Sequence, residues 1–382
     1  MQFGLTETQQ TLKNTVRKFL SAECPMSEVR RLLETDTAHD AALWAKMAEQ
    51  GWTGIIFPEA YGGFGMGMVE MAAALEEMGR ALLPGPYLST ITAGALLEHA
   101  ASDAQKHEHL SAICRGDAKT TVALLEGGAS WSPEAVTMGA TLTGSRYQLH
   151  GQKLFVSDAA AADFIVCAAR LEGDLALMVA PKGRFTATLM PAIDGTRKLY
   201  EVSFESLPAE SLLARGAKAH RALGHALAVG TVALVSEMVG GMQRLLDMTV
   251  EYAKTRKQFG KAIGSFQAVQ QQCADMLLYT ESSRSAAYYA AWALQESAAE
   301  AQSAVSTAKA YTSEAYREVG NRAIQVHGGM GFTWENDCHL YYRRAKASEI
   351  AFGDATYHRE RIARFVVDRQ QVRVEDGVAV AV

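Results

Sequence analysis

Four cations stand together in "KTRKQFGKAIGSFQ": Lys254, Arg256, Lys257 and Lys261. They fall where one long helical stretch ends, a glycine-containing turn follows, and another helix begins. A guanidinium offers phosphate oxygens a planar fork of donors, so Arg256 could clamp a diphosphate. A solvated helix end that complements the helix dipole would use the same charges. The segment alone leaves both open. Two other stretches would suit a flat ligand. In "GQKLFVSDA", Phe155 could stack on a ring and Ser157 could donate a hydrogen bond to it, although a lone aromatic on a strand is more often core. In "QVHGGMGFTW", three glycines follow an amphipathic helix. Glycine lets a ligand approach the backbone, and a helix cap with its turn would need the same residues.

Several chemistries are disfavoured. His327, His339 and His358 match no i,i+4 pair, and no carboxylate cluster accompanies them, so no metal site is expected. Five scattered cysteines form no C-x-x-C pair, which argues against zinc or a disulfide framework and for a reducing cytoplasm. "PEAYGGFGMG" misses the G-x-G-x-x-G spacing and lacks a βαβ setting; it is a glycine turn. The net charge of -5 gives no support to a nucleic-acid surface. The opening twenty residues are amphipathic, unlike an export signal. The longest uncharged runs are broken by proline or fall short of the ~20 residues of a membrane span. A cytoplasmic protein is expected.

The elements that must position these residues come in three blocks, and 382 residues are enough for two or three packed units. Residues 1–118 show helical periodicity, with Thr6 and Gln9 in a capping-box pattern before "ETQQTLKNTVRKFL". Residues 119–216 change to short runs rich in Val, Phe, Tyr and Thr, the pattern of a β-barrel or sandwich. Residues 217–382 return to long Ala-rich helical segments, which suit a bundle. The fold class is therefore α+β.

Taken together and in order, "PEAYGG", "GQKLFVS", "RKQFGKAIGSFQ" and "QVHGGMGFTWE" resemble the acyl-CoA dehydrogenase family. The resemblance covers roughly residues 1–368. It implies an N-terminal helical domain, a middle β-barrel domain and a C-terminal four-helix bundle that hold FAD and an acyl-CoA, with electron-transfer flavoprotein as acceptor. Position by position, it implies that Phe155 covers the flavin ring and that Ser157 bonds near its N5. Leu125 and Glu126 fall in the slot of a Thr-Glu pair beside the flavin. Arg256 matches the arginine on the FAD diphosphate, Phe259 and Gln267 the adenine-side contacts, and Gln325, Gly328 and Gly329 the backbone loop against the cofactor. In the family a neighbouring subunit completes each FAD site, so a dimer or tetramer is implied.

The same resemblance exposes a gap. The family's base is the glutamate of a Glu-Gly-Thr motif, and aligning "SEIAFGDATYHRERIAR" without gaps puts Phe352 there, with Gly353 on the glycine and Asp354 on the threonine near the flavin. A second subgroup carries its base on the helix that opens the bundle, where this chain has Gly230, followed by Thr231 in a slot that is often Arg. The departures resemble the glutamate-lacking chain of bacterial heteromeric acyl-CoA dehydrogenases, whose homologous partner carries the glutamate. Two alternatives stand beside that expectation. One is a self-sufficient enzyme with a displaced base, either Glu237, two turns after Gly230 in an apolar run, or Asp354. The other is a flavin-binding non-enzyme.

Overall fold

A computed structural model describes residues 4–375, with side-chain environments to Val367. Six helices come first: α1 (Glu7–Glu23), α2 (Met26–Leu33), α3 (Ala41–Glu49), α4 (Met68–Arg80), α5 (Tyr87–Ala100) and α6 (Asp103–Cys114). The capping box is present at α1, where Gln9 N donates to Thr6 Oγ1 at 3.2 Å and Thr6 N donates to Gln9 Oε1 at 2.9 Å. One stripe of α1 is buried, through Val16 and Leu20.

Ten strands follow: β1 (Thr120–Ala123), β2 (Gly139–Thr143), β3 (Arg146–His150), β4 (Gln152–Ser157), β5 (Phe164–Leu171), β6 (Asp174–Pro181), β7 (Phe185–Met190), β8 (Leu199–Phe204), β9 (Leu207–Pro208) and β10 (Leu212–Arg215). They form a seven-stranded sheet ordered β10-β6-β5-β2-β3-β9, with β1 also on β5, and a three-stranded sheet ordered β4-β8-β7. On β5, Val166 and Ala168 join the large helical core, while Cys167 and Ala169 join a separate core on the other face. Successive side chains alternate faces and both faces are covered, so the strand is an almost unbroken apolar run.

The third block opens with α7 (Ala217–Thr255) and continues through a short hairpin, β11 (Lys257–Gln258) and β12 (Lys261–Ala262). Four helices complete it: α8 (Gln267–Gln295), α9 (Ala301–His327), α10 (Cys338–Ile350) and α11 (Ala355–Glu375). By length and composition α7 could cross a membrane, but its apolar window is 83% buried inside the protein, which makes it a core helix. It crosses α4 backbone to backbone. A Cβ on Gly240 would lie 1.7 Å from the Glu76 carbonyl oxygen, and one on Gly79 would lie 1.9 Å from the Glu237 carbonyl oxygen. No other residue type permits that approach. The crossing fixes the height of Glu237 and Gly230 against α5.

Candidate active site

A cavity of ≈ 370 Å³ opens where the two sheets, α5, α7 and the end of α10 meet. Its wall includes Leu125, Trp131, Phe155, Ser157 and Phe352. Local backbone geometry presents the β4 residues. The pairing of β4 with β8 slips between Lys153 and Val156, and Phe155 has φ +55°. That bulge turns Phe155 outward, 40% exposed, while Val156 stays in the core. A positive φ on an aromatic residue is strained, so the outward ring is held at a cost. The Ser157 hydroxyl shares the cavity wall with it.

Leu125 lines the cavity, but the neighbouring Glu126 carboxylate is occupied by its own chain. It accepts from Lys153 Nζ at 2.6 Å, from Met138 N at 3.0 Å, and from Thr137. Burial alone would raise the Glu126 carboxyl, but these donors hold it at about 2. Its side chain therefore fastens β4 to the preceding loop.

Phe352 stands at the break between α10 and α11, with φ +58°. A Cβ on Gly230 would lie 2.7 Å from Phe352 Cε1 and 2.8 Å from its Cζ, so the ring fills the space that the glycine leaves. On its other side it stacks on Trp131, with centroids 5.0 Å apart and planes at 30°. One ring thus accounts for both departures from the expected base positions. The break is pinned from below. The fully buried Lys309 donates to the carbonyls of Glu349 (3.0 Å) and Gly353 (2.8 Å) and to Ser313 Oγ (2.9 Å). Burial pushes its ammonium down to about 7. His358 Nε2 donates to the Phe352 carbonyl at 2.9 Å, and Thr231 donates to Leu227 O at 2.6 Å.

Neither carboxylate considered as a displaced base is placed to act as one. Glu237 accepts from Arg197 Nη2 at 2.9 and 2.7 Å and from Arg344 Nη1. Removing two guanidinium partners to free it would leave buried charge unpaired. Asp354 is exposed and caps α11, accepting from Tyr357 N at 2.8 Å. Neither lines the cavity. The histidines of the discarded metal reading have local partners: His327 stacks on Tyr252 with centroids 4.4 Å apart, and His339 packs on Trp334.

The other predicted cofactor residues form a second group. Arg256, Phe259, Gln267, Gln325, Gly328 and Gly329 are all exposed, and none lines the cavity. Phe259 and Gly260 form the two-residue tip of the β11–β12 hairpin with φ +51° and +79°, and the Phe259 ring is 91% exposed. Within one chain the two groups are not brought together. Sequence reasoning missed Trp131, Asp158 and Arg197 on the cavity wall. The available signals were faint: a large aromatic in a Gly/Ser loop, and Glu237 in an apolar run that required a cation.

Comparison with known proteins agrees with this architecture. The model of "Acyl-CoA dehydrogenase, N-terminal domain" matches residues 6–117, and that of "Acyl-CoA dehydrogenase, C-terminal domain" matches residues 220–367. "Acyl-CoA dehydrogenase FadE27" of Mycobacterium tuberculosis is 32% identical over 95% of this chain and 98% of its own. The ChsE4-ChsE5 complex of the same organism contains a chain of TM-score 0.87 and 29% identity, covering 96% of this chain and 99% of that one. A chain from the electron transferring flavoprotein structure of Acidaminococcus fermentans matches with the same TM-score, identity and coverage. The chain belongs to the acyl-CoA dehydrogenase family of flavoprotein oxidoreductases.

Proposed function

We propose that this chain is the glutamate-lacking subunit of a heteromeric, FAD-dependent acyl-CoA dehydrogenase. The observation that carries the reading is the Phe352 ring, seated in the space of Gly230 and stacked on Trp131. Both usual positions for a proton acceptor are filled by one hydrocarbon group. Abstraction of the weakly acidic α-proton of a thioester needs a positioned base. A homologous partner chain would supply it. That the ChsE4-ChsE5 relative is a complex of two chains is consistent with this reading.

The residues present fit a flavin. Phe155, turned out by a bulge, lines the cavity together with Ser157 and the apolar Leu125. FAD, when bound, supplies the acceptor for the hydride lost from the substrate β-carbon. This chain's residues would hold and orient it: Phe155 against the ring, Ser157 by a hydrogen bond, and Gln325, Gly328 and Gly329 along the backbone loop. The exposed Arg256, Phe259 and Gln267 would reach the diphosphate and adenine of the neighbouring subunit's FAD. Electrons would leave to an electron-transfer flavoprotein, and the acyl-CoA would be turned over at the partner's site. The function is thus desaturation of an acyl-CoA by an oligomer in which this chain completes and stabilises a cofactor site.

The test is turnover with an artificial electron acceptor over straight, branched and ring-bearing acyl-CoAs. It should be run on the lone chain and on the chain co-expressed with a homologue that carries an intact Glu-Gly-Thr. Loss of a general base costs about 10²–10⁴-fold, so the lone chain should fall below the pair by that factor. Robust turnover by the lone chain would overturn the proposal.

A further inference from the structure

Away from the site above, a cavity of ≈ 320 Å³ lies where α1, the joint between α1 and α2, α4, α7 and α10 meet. It shares no lining residue with the cavity that Phe155 and Phe352 line. Leu20, Met26 and Ala81 give it an apolar surface, and Arg17, Arg80 and Arg244 bring three guanidinium groups to the same wall. One carboxylate, that of Glu77, accompanies them. Apolar surface with a few convergent polar groups is the usual form of a small-molecule site.

Two of the three cations are matched. Arg17 Nε and Nη2 donate to the two oxygens of the buried Glu77, each at 2.7 Å. Arg80 Nη1 donates to Asp247 Oδ2 at 2.6 Å. Arg244 is different: among the described residues no carboxylate lies within ion-pair distance of it. Its guanidinium approaches the Tyr341 hydroxyl, which donates to the Arg80 carbonyl at 2.6 Å and neutralises nothing. Arg244 is half-buried, so water screens it only in part. A cation so placed, beside two others, calls for an anion.

Charge fixes the valence of that anion. Three guanidinium groups face two carboxylates, Glu77 and Asp247, which leaves one positive charge. Behind them Lys13 and Arg284 balance Glu76 and Glu281. A single carboxylate would cancel the excess and fit the guanidinium fork. A phosphate monoester, with nearly two charges, would overshoot it. The volume is at the small end for ligand sites, which start at about 300 Å³, so the body of the ligand is a short chain or one ring. We propose that this cavity binds a small organic acid, its carboxylate paired with Arg244 and its apolar body on Leu20, Met26 and Ala81. The ligand is a free acid, held apart from the cavity given to the flavin, and the site stands whether or not the chain is a base-lacking subunit.

Cyclohexanecarboxylate, cyclohexanecarboxamide and cyclohexyl phosphate form a matched probe set. Their affinities for the native assembly can be measured by ligand-observed saturation-transfer NMR at low salt. The carboxylate should bind about tenfold or more tighter than the amide, the return from a charge-assisted pair, and tighter than the phosphate. Arg244→Gln should bring the carboxylate to the level of the amide. Ser21→Glu is a second variant, at an exposed helical position on the same wall, where it adds a negative charge without disturbing the core. It should weaken the carboxylate by a similar factor and leave the amide unchanged. Equal affinity of wild type for acid and amide, tightest binding of the phosphate, no binding of any probe, or a carboxylate preference kept in both variants would each overturn the proposal.

Discussion

The hairpin after α7 and the break after α10 are built in opposite ways. At the break the chain holds its own turn: Lys309 holds two backbone carbonyls, His358 holds a third, and the Phe352 ring fills a gap that a glycine leaves. At the hairpin Arg256 is exposed, and an aromatic ring stands 91% exposed on a left-handed backbone. Strain is present at both, since Phe352 and Phe259 each have φ above +50°. At the break the strain is repaid by packing within the chain. At the hairpin the exposed ring meets only the edge of Phe266, with centroids 6.1 Å apart, so little packing among the described residues repays it. One region is packed within the chain, and the other is exposed.

Substitutions should separate the two. Arg256→Ala should lower FAD affinity of the assembled protein by about 100-fold, the loss of a bidentate charge-assisted contact, while leaving the melting temperature of the cofactor-free chain unchanged. Flavin absorbance after gel filtration reads the first, and calorimetry reads the second. An unchanged flavin content would remove Arg256 from the site. Phe352→Ala should do the reverse. It should leave FAD bound and cost about 2–3 kcal/mol in urea unfolding, below a fully buried ring because Phe352 is only partly covered. A stability loss under ~0.5 kcal/mol would mean that the ring does not support the break.

The contrast was only partly legible in the sequence. The three blocks were, because helical periodicity and strand alternation are local: the capping box at Thr6 lies within a few residues of its cause. The outward turn of Phe155 was not, since it depends on a bulge in the pairing of β4 with β8, and a lone aromatic on a strand reads as core. An ungapped alignment also led to the expectation that Phe352 takes the place of a carboxylate. What its ring packs on was not legible. Trp131 lies over two hundred residues from Phe352, and nothing in "EGGASWSPE" points to α10. Glu237 illustrates the same limit. An apolar neighbourhood made it either paired or functional, and the choice rested on Arg197, 40 residues away, and Arg344, 107 residues away. Pairings across such distances are set by how α4, α7 and α10 cross, and that crossing depends on glycines whose role shows only in three dimensions.

Acid should weaken the break more than the hairpin. Burial holds the His358 imidazole down at about 4, with Lys309 and Arg361 adding to the effect. A histidine whose folded pKa lies below its unfolded value near 6.5 binds fewer protons in the native state. Its contribution is therefore intact above about pH 6.5 and is lost as pH falls toward 4. Asp158 has the opposite sign in an overlapping window: burial lifts it to about 6, so stability falls as pH rises from about 4 to 6. The two slopes offset each other, and the difference between wild type and His358→Gln isolates one of them. Between pH 7 and pH 5 the wild type should lose about 2 kcal/mol relative to the variant, read by urea unfolding at each pH. A pH-independent difference would show that His358 is not held neutral.

The smallest effect sharpens the comparison most. Phe259 sits at the first position of a two-residue hairpin with φ +51°, followed by Gly260 at +79°. Such turns demand positive φ at both central residues, which glycine supplies without steric cost and a β-carbon-bearing residue does not. Phe259→Gly removes that strain. The gain is offset in part by the greater freedom of glycine in the unfolded chain. With the ring almost fully exposed, the only packing lost among the described residues is an edge contact with Phe266. The isolated chain should therefore become more stable by about 0.5–1 kcal/mol. Assembly should move the other way, with a lower oligomer fraction in analytical ultracentrifugation and less retained flavin. A variant that gains stability and still assembles and binds FAD as the wild type does would show that the exposed ring serves no contact. The hairpin would then be an ordinary surface turn with an unfavourable residue, and the difference between the two regions would reduce to exposure alone.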